Sequence, residues 1–157
     1  MQFLISGIQQ VGVGVDNVME AWDWYRKNLG FDIPVVNAPG TAEKMLKYTG
    51  NKPQERHAII AINLQGGGGL EIWQYLTRTP QHASFEIQAG DLGIFATKIK
   101  TNKIHEVFHD FKEKQIKLLS NIEIDPKGNK HFFFEDPYGN VFQMVDEKSV
   151  FVETDAL

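Results

Sequence analysis

The chain has 157 residues, 42% of them hydrophobic and 23% charged, and its 16 basic and 20 acidic side chains leave a net charge of −4. That length suits one domain of roughly 100–200 residues, and 11% aromatic content, 11 Phe included, sets it apart from disordered chains. With no cysteine, disulfides, thiolate metal sites, iron–sulfur clusters and Cys nucleophiles are excluded, and no basic run points to nucleic acid or an anionic membrane.

Met1–Gly7 lacks the charged start and long apolar run of a signal peptide. No stretch approaches the roughly 18 apolar residues of a membrane helix. A soluble, cytoplasmic protein is the expectation. Val11, Val13 and Val15 alternate with Gly12 and Gly14, the period-2 pattern of a strand with one packed face. Asn17 then caps a helix, with Glu20 at capping-box spacing. Val18, Ala21, Trp22, Tyr25 and Leu29 follow on one helical face. Gly30 ends the helix, and Phe31–Val36 reads as a short edge strand containing Pro34. Ala42–Tyr48 fits either a short helix or a strand.

His57–Leu64 and Leu70–Leu76 are strand-like, and Gly66-Gly67-Gly68-Gly69 between them reads as a hairpin turn. A glycine-rich phosphate cradle needs a helix N-terminus after it, and a strand follows here. Residues 77–91 read as a linker, with a candidate short strand at Phe85–Ile87. Ala96–Thr101 alternates again, Asn102 is a candidate cap, and Ile104, Val107, Phe108 and Phe111 form a second helical stripe. Ile116–Ile124, His131–Phe134 and Val141–Val145 are strand-like, and Asp136-Pro137-Tyr138-Gly139 fits a type I turn. The order strand–helix–strand–strand–strand occurs twice, in modules spanning about 5–76 and about 92–147 of a single domain.

Strand parity separates two faces. Val11, Val13 and Val15 turn toward the helix, and Gln10, Gly12 and Gly14 turn away. The same alternation groups Glu71, Trp73 and Tyr75, then Ala96, Lys98 and Lys100, then Val141, Gln143 and Val145. A hollow lined by Gln, Glu, Trp, Tyr, Lys and Gly suits a ligand better than a dry core.

At Gln10-Val11-Gly12-Val13-Gly14-Val15-Asp16, Trp24-Tyr25-Arg26-Lys27-Asn28-Leu29-Gly30-Phe31 and Asp136-Pro137-Tyr138-Gly139-Asn140, the chain resembles the vicinal oxygen chelate superfamily. That superfamily includes glyoxalase I, bleomycin-resistance proteins and extradiol dioxygenases. The resemblance implies an α+β fold of two βαβββ modules around an open, barrel-like cleft, commonly in a homodimer. It also implies a divalent metal (Zn, Ni, Mn or Fe) held from four strand positions by His, Gln or Glu. Those positions fall on Gln10, Glu71, Ala96 and Gln143. One carboxylate, two carboxamides and a methyl group make a poor site for a divalent ion, and neither Phe95 nor Thr97 improves on Ala96. No resident cofactor is therefore expected.

The expectation is a small-molecule-binding protein whose ligand, an organic molecule, contacts Gln10, Trp73, Tyr75, Lys98 and Gln143. The alternative is a glyoxalase-like lyase or isomerase in which Glu71, as general base with a divalent metal, acts on a small carbonyl compound. In the structural version of the same site, Glu71 pairs with Lys98 and shapes the pocket. A third reading comes from His105-Glu106-Val107-Phe108-His109, which spells the H-E-x-x-H pattern of zinc peptidases. Relative to the apolar stripe these residues fall on the polar side of their helix, with Glu123 and Glu135 as candidate third ligands.

Overall fold

The computed structural model describes residues 8–65, 68–81 and 83–148. The chain divides into two compact units, Met1–Ser84 and Phe85–Leu157. The first contains β1 (Gln10–Gly14), α1 (Val18–Leu29), β2 (Ile33–Thr41), a 3-10 turn (Glu43–Tyr48), β3 (Glu55–Ile62) and β4 (Gly69–Tyr75). Its sheet runs β1-β4-β3-β2, with β1 parallel to β4 and the other pairs antiparallel. The second contains β5 (Ala96–Thr101), α2 (Ile104–Glu113), β6 (Lys117–Leu118), β7 (Glu123–Ile124), β8 (Lys130–Glu135) and β9 (Val141–Asp146). Its sheet runs β5-β9-β8-β6, with β5 parallel to β9 and β7 pairing with β8. The first unit is thus a βαβββ module in an α+β fold, the second keeps that order with the strand after α2 broken into β6 and β7, and in each the first and last strands lie side by side.

Local chemistry sets α1. The Asn17 side chain accepts the Met19 and Glu20 amides at 3.1 and 3.3 Å and donates to the Glu20 carboxylate at 2.8 Å, satisfying donors that a helix start leaves open. At the other end Gly30 adopts φ 71°, and a Cβ there would lie 2.9 Å from the Asn63 side-chain nitrogen. The left-handed conformation favours glycine, and a Cβ would also displace the Asn63 amide. Val18, Ala21, Tyr25 and Leu29 are buried, and the Trp22 indole donates to the Phe31 carbonyl at 3.0 Å. These side chains meet Ile59, Ala61, Leu70 and Ile72, all at most 1% exposed. Two contacts fix which sheet face that is: Gln74 accepts the Val18 amide at 3.1 Å, and Asn63 donates to the Leu29 carbonyl at 2.9 Å.

In the second unit the packed layer is aromatic. Phe111 lies edge-on to Phe132 and Phe134, and Phe134 stacks on Phe142 at 5.3 Å. The chain turns into β9 at Asp136, which is 3% exposed. Its carboxylate accepts the Tyr138 and Asn140 amides and the Asn140 side chain, each at 2.8 Å. Asp125-Pro126-Lys127-Gly128-Asn129, between β7 and β8, repeats that Asp-Pro-x-Gly-Asn pattern. Asp125 accepts from Lys127 and Asn129 in the same way, and Gly128 and Gly139 share φ values of 86° and 87°.

Several elements differ from expectation. The strand after α1 runs to Thr41, past Pro34 and Pro39, because it is the outermost of its sheet and absorbs an irregularity between Pro34 and Val36. Ala42–Tyr48 resolves into a 3-10 turn over Glu43–Tyr48. Phe85–Ile87 is not a strand, and Ile116–Ile124 splits into two strands of two residues each. The residue capping α2 is Lys103, not Asn102: the Thr101 hydroxyl takes the Lys103 amide at 3.1 Å, and no side chain caps the helix. Met1–Gly7 and the first half of the glycine turn, Gly66-Gly67, lie outside the described residues.

Candidate functional site

The face of the first sheet opposite α1 carries Gln10, Gly12 and Gly14 from β1 and Glu71, Trp73 and Tyr75 from β4, since Leu70, Ile72 and Gln74 turn toward the helix. The parallel register sets Gly12 beside Glu71 and Gly14 beside Trp73. Gln10 reaches along the strand, and its Nε2 donates to Glu71 Oε2 at 3.0 Å. Trp73 and Tyr75 meet edge to face, with centroids 5.8 Å apart. On β3, Ala58 lies opposite Trp73 and Arg56 opposite Tyr75. The Arg56 guanidinium covers the Trp73 ring at 5.2 Å and donates to the Ala38 carbonyl at 2.7 Å, while Arg78 covers Tyr75 at 5.6 Å. A Cβ built at Gly12 or Gly14 meets no heavy atom within 4 Å. Arg56 escaped the sequence reading. Counting back from the hairpin, with Ile62 opposite Gly69, brings it opposite Tyr75 and supplies the missing signal.

In the second unit Lys98 and Gln143 are direct neighbours across β5 and β9, and Ala96 pairs with Val141. Phe133 lies opposite Gln143 on β8, and His131 opposite Val145. His131 approaches Glu123 at 3.8 Å and meets the Phe133 ring edge-on. The donor set at the four positions is one carboxylate on Glu71, carboxamides on Gln10 and Gln143, and the methyl of Ala96. In the first unit the amide nitrogen of Gln10, and so a donor, is the group turned toward Glu71. This set does not fit a divalent ion with four protein ligands.

The H-E-x-x-H residues lie on the outer face of α2. The side chains of Glu106, His109 and Glu113 are 69%, 74% and 70% exposed, around an open depression that His105 and Asp110 also line. His105 Nε2 is 2.9 Å from the Lys130 ammonium, His109 Nδ1 is 3.5 Å from Glu113, and Glu106 pairs with Lys103. Glu135, a candidate third ligand, pairs with Lys117, and Glu123 faces His131. Among the described residues no three His, Asp or Glu side chains converge on a common point. A peptidase needs two imidazoles and a carboxylate aimed into a walled site. Here they are engaged in exposed surface pairs, an arrangement that does not fit a peptidase centre. His57 bonds Asn37 at 2.6 Å.

Comparison with known proteins follows the same lines. The family model described as Glyoxalase/Bleomycin resistance protein/Dioxygenase superfamily matches residues 7–144. No curated protein matches the chain. Among solved structures, a glyoxalase family protein from Bacillus cereus superposes with a TM-score of 0.72 at 12% identity, covering 92% of this chain and 96% of its own. A glyoxalase family protein from Enterococcus faecalis gives 0.65 at 22% identity, covering 88% and 96%. Lactoylglutathione lyase from Agrobacterium tumefaciens gives 0.61 at 17% identity, covering 94% and 98%. These structures share the fold. With the doubled βαβββ module and the family match over residues 7–144, the chain belongs to the glyoxalase/bleomycin resistance protein/dioxygenase superfamily.

Proposed function

We propose that this protein binds a small organic molecule on the open face of its first sheet and does so without a catalytic metal. The Gln10–Glu71 hydrogen bond carries the proposal, because it commits the first module's two ligand positions to each other. For both to ligate one cation, Gln10 would have to turn its carbonyl oxygen inward, and Ala96 would still offer a methyl group. Trp73 and Tyr75 supply the aromatic wall that an organic ligand needs. A homodimer located in the cytoplasm completes the reading. Its assembly state is read directly by sedimentation velocity.

A second reading has one observation in its favour. Glu71 is a half-buried carboxylate with a hydrogen-bond donor at one oxygen, the arrangement of a positioned general base. A lyase or isomerase working on a small carbonyl compound would use it so. Metal analysis of protein purified without chelator separates the two. The binding reading expects substoichiometric Zn, Ni, Mn and Fe. A full equivalent of one of these ions, lost in Glu71→Ala, would overturn it in favour of the enzyme.

A further inference from the structure

The open face of the first sheet is uneven in charge and in height. Along β4 its rows are Gly12–Glu71–Ile60, then Gly14–Trp73–Ala58, then Tyr75–Arg56. The Trp73 indole thus stands between a glycine and a single methyl group. On the β1 side two consecutive outward positions have no side chain, and a Cβ there meets nothing within 4 Å. Glycine inside a strand is destabilising relative to alanine. Neither Gly12 nor Gly14 has a positive φ or a close neighbour to require it. Bare backbone beside an aromatic ring is what the close approach of a flat ligand demands.

Arg56 supplies the charge. It is half-buried, and among the described residues its interactions are the Ala38 carbonyl and the Trp73 ring, with no carboxylate paired to it. A guanidinium has five N–H donors in a planar fork, so most remain after the single bond to Ala38. A partly desolvated cation with a vacant fork, lying on an aromatic ring, matches a ligand carboxylate better than it matches water. Glu71, two rows away or about 13 Å along the strand, sets the opposite polarity at the far end of the face.

We propose that this face takes a planar aromatic carboxylate, its ring lodged beside Trp73 in the space over Gly12 and Gly14 and its carboxylate held by Arg56. This assignment rests on the reading of the face as the binding site. The test titrates the full chain with 1-naphthoate and with its neutral counterpart 1-naphthamide by calorimetry. The expected result is a naphthoate affinity about tenfold or more above that of naphthamide, the gain of a charge-assisted bond. Arg56→Gln should reduce naphthoate to the naphthamide level, and Arg56→Lys should restore part of the difference. Gly14→Val should weaken both probes, with Gly14→Ala as the milder block. Equal affinities, or a preference that survives Arg56→Gln, with both probes still blocked by Gly14→Val, overturn the carboxylate assignment and leave the face as a binding site. If neither probe binds, or binding ignores Gly14→Val, the site and the assignment fall together.

Discussion

β1 and β5 open their modules in the same way, each parallel to the last strand of its own sheet, yet β1 turns Gly12 and Gly14 outward where β5 turns Lys98 and Lys100. Inward, the two agree. Val13 and Ile72 in one unit, and Phe142 and Met144 in the other, are at most 4% exposed. Topology constrains only the helix-facing side, because that side carries the burial energy. The outer faces were left to diverge, into a glycine floor with a Gln–Glu pair in one unit and a Lys–Gln–Phe–His surface in the other. Repetition of the fold therefore does not imply repetition of the site.

The largest effect should come from the packed layers. Phe134→Ala, removing a ring that contacts Phe111, Phe132 and Phe142, should cost roughly 3–5 kcal/mol in denaturant unfolding. A loss under 1 kcal/mol would mean that the aromatic layer is not the core of the second unit.

The twin turns sharpen the comparison within that unit. Asp136→Ala leaves the half-buried amides of Tyr138 and Asn140 without their acceptor and should cost about 1–3 kcal/mol. Asp125→Ala, at a more exposed turn, should cost less. The backbone and side-chain amides of Asn129 hold the Asp125 carboxyl below its ordinary value of 3.8. A lowered folded pKa stabilises above the unfolded value and is lost as pH falls through the folded one. The difference between wild type and Asp125→Asn should therefore be constant above about pH 5 and shrink below 3.8. A difference that grows on acidification would contradict this assignment.

The smallest effect concerns the helix starts. Asn17→Ala should cost about 1 kcal/mol, because it removes an acceptor for two amides. Lys103→Ser, at a start without a side-chain cap, should gain a few tenths of a kcal/mol or more, offset by loss of the exposed Glu106 pair. Thermal melts of the two variants moving in the same direction would show that capping does not distinguish the helices.

The βαβββ order, the Asn17 cap, the Gly30 stop and the split of faces were all legible in local sequence, because each depends on residues within a turn or two of one another. What was not legible depends on pairing at a distance. Glu71 and Gln10 are 61 positions apart, and only the parallel register brings them together. Arg56 lies just outside the strand that the sequence suggests from His57, and only the hairpin register sets it over Trp73. Ile116–Ile124 had a strand's composition, but its ladder with β8 is regular only over Lys117–Leu118 and Glu123–Ile124. The second Asp-Pro-x-Gly-Asn turn, at Asp125–Asn129, is legible in the sequence by its identity with the first.

β2 has a bearing on behaviour at high concentration. A nine-residue outermost strand with Val35 and Val36 exposed would ordinarily be a template for edge-to-edge growth. Pro34 and Pro39 each delete a backbone donor, and the irregular pairing after Pro34 breaks the flat run an incoming strand would need. The margin of this sheet is thereby a poor seed for aggregation, a protection that its side-chain chemistry alone would not provide.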